Sequence, residues 1–353
     1  MKSRMWDYRP SPQVEANRIT ALTGDPIMPR VRNLSVLLLL ISSSSVFGAD
    51  PTAKLYRDTV VRFVKKSEAA GAITRQDIFV KAMSAFDRQI RMQTDKNVSY
   101  VQWKKFAEAQ VLDWKKEEVE KISDVAKVLR KQLEKFNLPL PKDIRLVKTS
   151  GREEANAAYC RGNAIVLPLK VLRRGSRSLQ RLFIHELFHV MSSHNPVLRK
   201  SMYAIVGFKP CNPITMPKTL AHKRITNPDA PTIDYYMKIT DAGVTRAIVP
   251  VLYANKDKYD TKRGGNLFQY LVFRLMVIEK KKDRWQPLLK DGRAIVVKPK
   301  TSRSYMKQIG SNTNYIIHPD EIMADNFVHL VKGTKRLKSP QIVKRLGKLL
   351  ESN

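Results

Sequence analysis

The sequence predicts a mixed α+β protein, and three stretches carry that reading. Val119, Ile122, Ala126, Leu129, Leu133 and Phe136 recur at alternating intervals of three and four residues, which lines one face of a helix. Asp143–Thr149 and Ala157–Pro168 are rich in β-formers, and the second holds Asn163-Ala-Ile-Val-Leu-Pro, closed by proline. After Arg173-Arg-Gly175 a helix is predicted from Ser176 or Ser178 to about Ser193. The 353 residues suffice for one large domain, or a core with a helical subdomain.

Composition excludes several classes. A content of 43% hydrophobic and 8% aromatic residues argues for a packed core and against a disordered polycation, despite a net charge of +33. Two cysteines, Cys160 and Cys211, rule out a disulfide-dense scaffold and a cysteine zinc cluster. With 14 glycines and 19 prolines, collagen-like and low-complexity readings fail as well.

Taken in order, residues 1–27 are polar and patternless. Met28-Pro-Arg-Val-Arg-Asn, the apolar run Leu34–Phe47 and the small residues Gly48-Ala49 then form the three regions of a secretory signal. Residues 1–49 are thus read as an extension plus signal peptide, with Met28 as the expected start. The run is too short and serine-rich to span a bilayer comfortably, though an uncleaved anchor is the alternative. No transmembrane span is expected in the mature chain. Export predicts a secreted, periplasmic or cell-envelope location. In that setting the basic surface would meet anionic envelope polymers rather than a specific nucleic acid. A merely solvated basic surface accounts for the charge equally well.

Residues 50–138 read as a helical region, its Val119–Phe136 stripe suiting a bundle or hairpin. Leu138-Pro-Leu-Pro breaks it, and a boundary is placed there. Residues 139–335 form the predicted core. Within it, 196–315 mix short helices and strands with loops such as Thr226-Asn-Pro-Asp-Ala-Pro231. Pro319 opens a last core helix through about Val331, and residues 336–353 contain a basic amphipathic helix after Pro340.

The chemistry lies in Leu182-Phe-Ile-His185-Glu186-Leu-Phe-His189-Val-Met191. Seven of these ten residues are apolar, so the helix should be buried nearly all round. Its three polar residues would be costly to desolvate without partners. The i, i+4 spacing stacks His185 and His189 one turn apart, where each can offer a ring nitrogen to one metal ion. Glu186 projects beside them, placed to take a proton from an attacking water. A tetrahedral zinc still lacks one protein ligand. His194 lies five residues past His189 with no glycine between, so the metzincin pattern fails. His222 and His329 have no supporting context.

The missing ligand is sought in Tyr315-Ile-Ile-His318-Pro-Asp-Glu321-Ile-Met-Ala-Asp325. Pro319 suits the first helical position, which puts Glu321 in the first turn and Asp325 one turn later on the same face. Glu321 could complete the ligand set, and Asp325 could hold the free N–H of a ligand histidine. Ordinary acids favouring a helix N-terminus are the competing explanation.

An H-E-x-x-H helix followed by a helix with E-x-x-A-D resembles the gluzincin metallopeptidases. The resemblance rests on Ile184–His189 and Glu321–Asp325 and extends loosely to the strand Asn163–Pro168. The interval from His189 to Glu321 is longer than the family's familiar one, so the architecture between them is not carried over. The resemblance implies a zincin-like core over 139–335, one Zn2+ per chain held by His185, His189 and Glu321, Glu186 as general base and Asp325 behind a ligand. It implies hydrolysis of a peptide or protein substrate. Tyr315 and His318 are candidate donors to the developing oxyanion; core packing and a helix boundary are their alternatives. Two other readings stand beside this one. One is an inactive zincin-fold binding protein; the other is a basic polyanion-binding envelope protein with a structural metal. In an oxidising compartment Cys160 and Cys211 are expected to pair as a disulfide.

Overall fold

A β-hairpin, where the sequence suggests helix, opens the part of the chain described by the computed structural model, residues 50–351. The expected signal segment lies outside the described residues. Thr52–Tyr56 (β1) and Thr59–Phe63 (β2) pair antiparallel. In β2, buried Thr59, Val61 and Phe63 alternate with half-buried Val60 and Arg62. That is the period of a strand, in a β-branched sequence.

Lys66–Thr74 (α1), Ile78–Ala82 (α2), Ala85–Met92 (α3) and Tyr100–Glu108 (α4) come next. Asp77, Ser84 and Ser99 cap the last three by accepting N–H groups of the first turn. A two-residue strand, Val111–Leu112 (β3), leads into Lys116–Leu133 (α5). Asp143–Thr149 (β4), Tyr159–Arg161 (β5) and Ala164–Pro168 (β6) complete the sheet. A short helix, Leu169–Leu172 (α6), then precedes Ser176–His194 (α7).

The first sheet runs β1-β2-β4-β6-β5, with β3 against the end of β4. β2, β4 and β6 are parallel, and β5 is an antiparallel edge. The boundary expected at Leu138 is therefore corrected. β2 pairs with β4 across it, so strands from residues 50–138 share one sheet with β4, β5 and β6. Both faces are covered. Ile144, Leu146, Ile165 and Leu167 pack toward α5 and α7; Val147, Ala164 and Val166 pack toward α1, α2 and α4. Burial on two sides explains why β6 is apolar from end to end. The α5 stripe is helical as expected, but it rests on this sheet rather than in a helical bundle.

Beyond Pro196–Ala204 (α8), the region read as short mixed elements builds a second sheet. Phe208–Pro210 (β7), Tyr235–Asp241 (β8), Val244–Ala254 (β9), Leu271–Lys281 (β10) and Arg284–Pro287 (β11) pair antiparallel in chain order. Lys218–Ala221 (α9) and Leu267–Tyr270 (α10) are single turns between them. One face, with Phe208, Met237, Ile239 and Leu275, joins the main core. The other holds Val249, Val251 and Met276 against Ile214, Met216 and Cys211. Arg303–Ile309 (α11), Pro319–Val331 (α12) and Pro340–Glu351 (α13) close the chain. α12 packs on α7, which brings the two motif helices together. Among the described residues no helix is long and apolar enough to cross a membrane.

Candidate metal centre

Three side chains from two helices converge. The apolar residues of α7 seat it in the core, and His185, Glu186 and His189 keep only 4, 2 and 2% of their surface exposed. α12 starts where the sequence predicts, with Pro319 first and His318 as its cap. Glu321 Oε2 stands 3.1 Å from His185 Nε2 and 3.5 Å from His189 Nε2. One ligand atom from each of the three lies within 4.8 Å of the others. The edge-to-face imidazoles have centroids 4.7 Å apart. The i, i+4 spacing thus produces a potential metal-binding triad of His185, His189 and Glu321.

The outer contacts orient this triad. His185 Nδ1 lies 3.1 Å from Asp325 Oδ1, the partnership the sequence suggests. His189 Nδ1 lies 2.6 Å from Asp320 Oδ2, a partner the sequence reading missed. With both Nδ1 atoms facing carboxylates, each ring directs Nε2 at the shared centre. Asp320 is held in turn by the hydroxyls of Ser192 and Tyr203, at 2.6 and 2.5 Å. Thr313 donates to Asp325. Asn227 Nδ2 donates to Glu321 Oε1 at 2.6 Å, leaving Oε2 for the centre.

One atom tests whether a metal fits. His189 Nε2 is fully buried and has no hydrogen-bond partner among the described residues, although Glu321 is near. Buried polar atoms are nearly always satisfied, and two imidazoles with a carboxylate are a suitable donor set for zinc. These residues fit a metal ion.

Electrostatics follow from crowding charges in an apolar shell. Burial acts to lower the His185 pKa, but Asp325 and Glu321 outweigh it and raise it to about 10. His189 is likewise raised against its burial, by Asp229, Glu321 and Asp320. Burial would raise Glu321, yet the two histidines bring it below its ordinary range. Glu186 moves the other way: burial raises it, and the imidazoles offset this only in part.

Glu186 is also contacted from behind. Cys160, on β5, directs its thiol at the Glu186 carbonyl, 3.2 Å away, and at its carboxylate, 3.4 Å away. The expected Cys160–Cys211 disulfide is accordingly corrected: both cysteines are free. Cys160 is committed beneath α7, whereas Cys211 packs with the outer face of the second sheet.

The two oxyanion candidates separate. The Tyr315 ring stacks on His185 with centroids 6.1 Å apart, and burial raises its phenol well above the ordinary range, so it stays a proton donor. His318 serves as the cap of α12, its Nδ1 accepting the Asp320 N–H at 3.1 Å. That nitrogen accepts and does not donate. The remaining histidines lie elsewhere. His194 contacts Val190, His222 pairs with Asp257 on the surface, and His329 lies against Asn312 and Thr334.

Asp320, Asn227 and Asp229 are the residues that sequence reasoning missed. Asp320 adjoins Glu321 in a first turn where acids are ordinary. Asn227 and Asp229 belong to a proline-rich loop without periodicity. Asp229 Oδ1 accepts the Cys160 N–H at 2.6 Å, and its carboxylate stands beside Glu186. Comparisons of the chain with protein-family models, with characterised proteins and with solved structures give no match.

Proposed function

We propose that the protein is an exported zinc metallopeptidase of the gluzincin kind, with a zincin-like core. The observation that carries the reading is the buried His185–His189–Glu321 triad with its unpartnered His189 Nε2. Bound zinc would supply a Lewis acid that acidifies water and polarises a carbonyl.

The chain's own residues supply the rest. Asp325 and Asp320 hold the imidazole Nδ1 protons, and Asn227 holds the outer oxygen of Glu321. Glu186 coordinates nothing in this scheme. It takes a proton from water and passes it to the leaving amine, and a carboxylate whose pKa burial raises suits both steps. The Cys160 thiol orients that carboxylate. Tyr315, protonated above the His185 ring, is placed to donate to a developing oxyanion. A structural site would usually fill its coordination with protein ligands and leave a buried Glu186 without purpose.

The test is metal content together with cleavage of a broad peptide library by the zinc-loaded protein. One zinc per chain and peptide hydrolysis are expected. A metal-replete preparation that holds no transition metal overturns the proposal.

A further inference from the structure

The segment from Thr226 to Thr232 crosses the candidate site as a strap. None of its residues makes a backbone–backbone hydrogen bond among the described residues. Its upstream end is fixed where Asp87 accepts the Thr226 N–H and Arg91 donates to the Thr226 carbonyl. Its downstream end is fixed where Ile214 N–H donates to Ile233. Between those points side chains hold it. Asn227 donates to Glu321, Asp229 accepts from Cys160, and Arg224 donates to the Pro231 carbonyl.

Asp229 is the residue that a mere connection does not require. Its carboxylate, the Glu186 carboxylate and the Cys160 thiol place their polar atoms within 4.8 Å of one another. A third acid beside Glu186 and Glu321 is unfavourable in a buried site, so something has to recommend it. Its hydrogen bond does. β5 is the edge of its sheet, and the Cys160 N–H points away from β6 into Asp229. An outward N–H on an edge strand is what the carbonyl of an extended chain would take. Pro228–Thr232 line a cavity of about 300 Å³ together with His189, Tyr203 and Asp320.

We infer that the strap is an intramolecular inhibitor. Asp229 occupies the edge position of a bound peptide, and the segment between Thr226 and Ile233 must swing aside for substrate to enter. The inference rests on the peptidase reading for what is excluded. Its test separates the two.

The probe is the tripeptide hydroxamate Pro-Leu-Gly-hydroxamate, which would need both the metal and the strand edge. Its affinity is measured calorimetrically for the zinc-loaded full chain, for Asp229→Asn and for Asp229→Ala. Alanine removes the acceptor for Cys160, and Asp229→Ser, too short to reach it, stands in if alanine fails to fold; asparagine keeps the shape and the acceptor and is the control. The alanine variant should bind the probe about tenfold or more tightly than the parent, the scale of one lost hydrogen bond, and the asparagine variant should stay near the parent. Unchanged or weaker affinity in the variant that loses the acceptor overturns the strap. Tighter binding with no peptide cleaved by any form upholds the strap and sinks the peptidase. Peptide cleavage by the parent with unchanged probe affinity sinks the strap alone. A parent that holds no zinc sinks both.

Discussion

Asp320 Oδ2 lies 2.6 Å from His189 Nδ1, and the other oxygen of the same carboxylate takes the hydroxyls of Ser192 and Tyr203. Asp320 is buried, which by itself would raise its pKa; His189 and the two hydroxyls hold it below the ordinary range. The carboxylate is therefore fixed in place and ionised before any metal arrives. It sets the orientation of His189 as Asp325 sets that of His185.

Removing either carboxylate should loosen the metal without deleting a ligand. Asp320→Ala and Asp325→Ala should each weaken zinc by about 10–100-fold, while His189→Ala should abolish stoichiometric binding. Competition against a chelator of known affinity measures this. Parental affinity in Asp320→Ala would refute the role assigned to that contact.

Glu186→Gln should keep zinc, because the metal is assigned to His185, His189 and Glu321. The amide cannot accept a proton, so turnover should fall by about 10²–10⁴-fold at matched zinc. Glu321→Gln should lose metal and activity together. Near-parental turnover in Glu186→Gln rejects the proton-transfer scheme even with zinc present.

Protons and metal compete for the same histidines. In the metal-free protein His185 holds its proton up to a pKa of about 10, against an ordinary value of 6.5. The folded state thus binds that proton more tightly than the unfolded one. Its contribution to stability is full below pH 6.5 and is lost as pH rises through about 10. A bound metal ion would take the place of that proton. Melting temperatures across this window should fall in chelator and change less with zinc. Parallel curves would contradict the coupling.

Glu153, which is not one of the candidate ligands, offers a separate pH effect. Both of its carboxylate oxygens are buried, and burial raises its pKa from 4.5 to about 7. The folded state keeps the proton where the unfolded chain has lost it, so stability declines as pH rises from 4.5 to about 7. Glu153→Gln should remove that decline. A shift of this size corresponds to on the order of 3 kcal/mol, so the variant should be the more stable at pH 8 and differ little at pH 4. Denaturant titrations at the two pH values decide it.

Two thiols should titrate under denaturing, non-reducing conditions. Cys160 lies under α7 and Cys211 with the outer face of the second sheet. Finding none would restore the disulfide.

The two motif helices were legible because they obey local rules. α7 follows its apolar pattern after Gly175, and α12 begins at a proline suited to the first turn. His185, Glu186 and His189 could be read from spacing alone, and Glu321 from the gap they leave. What stayed hidden depends on tertiary packing. β1 and β2 are five residues each, among lysines and arginines, and only pairing with β4 makes them the start of a sheet. Asp320 gains its role by facing α7, and nothing in its neighbours announces that. Asn227 and Asp229 reach the centre from a loop whose path the long second sheet dictates.

His185 and Glu321 are 136 residues apart in the chain, so their meeting depends on the packing of α12 against α7. Bringing them together closes a long loop, whose entropy the packing of the two helices must overcome. An unfolded chain offers the ion little more than a pair of neighbouring imidazoles. The finished ligand set arrives only when both helices have docked. Zinc would then bind the native state far better than the unfolded one and stabilise it by mass action. Metal capture in this protein would act as a seal on completed folding.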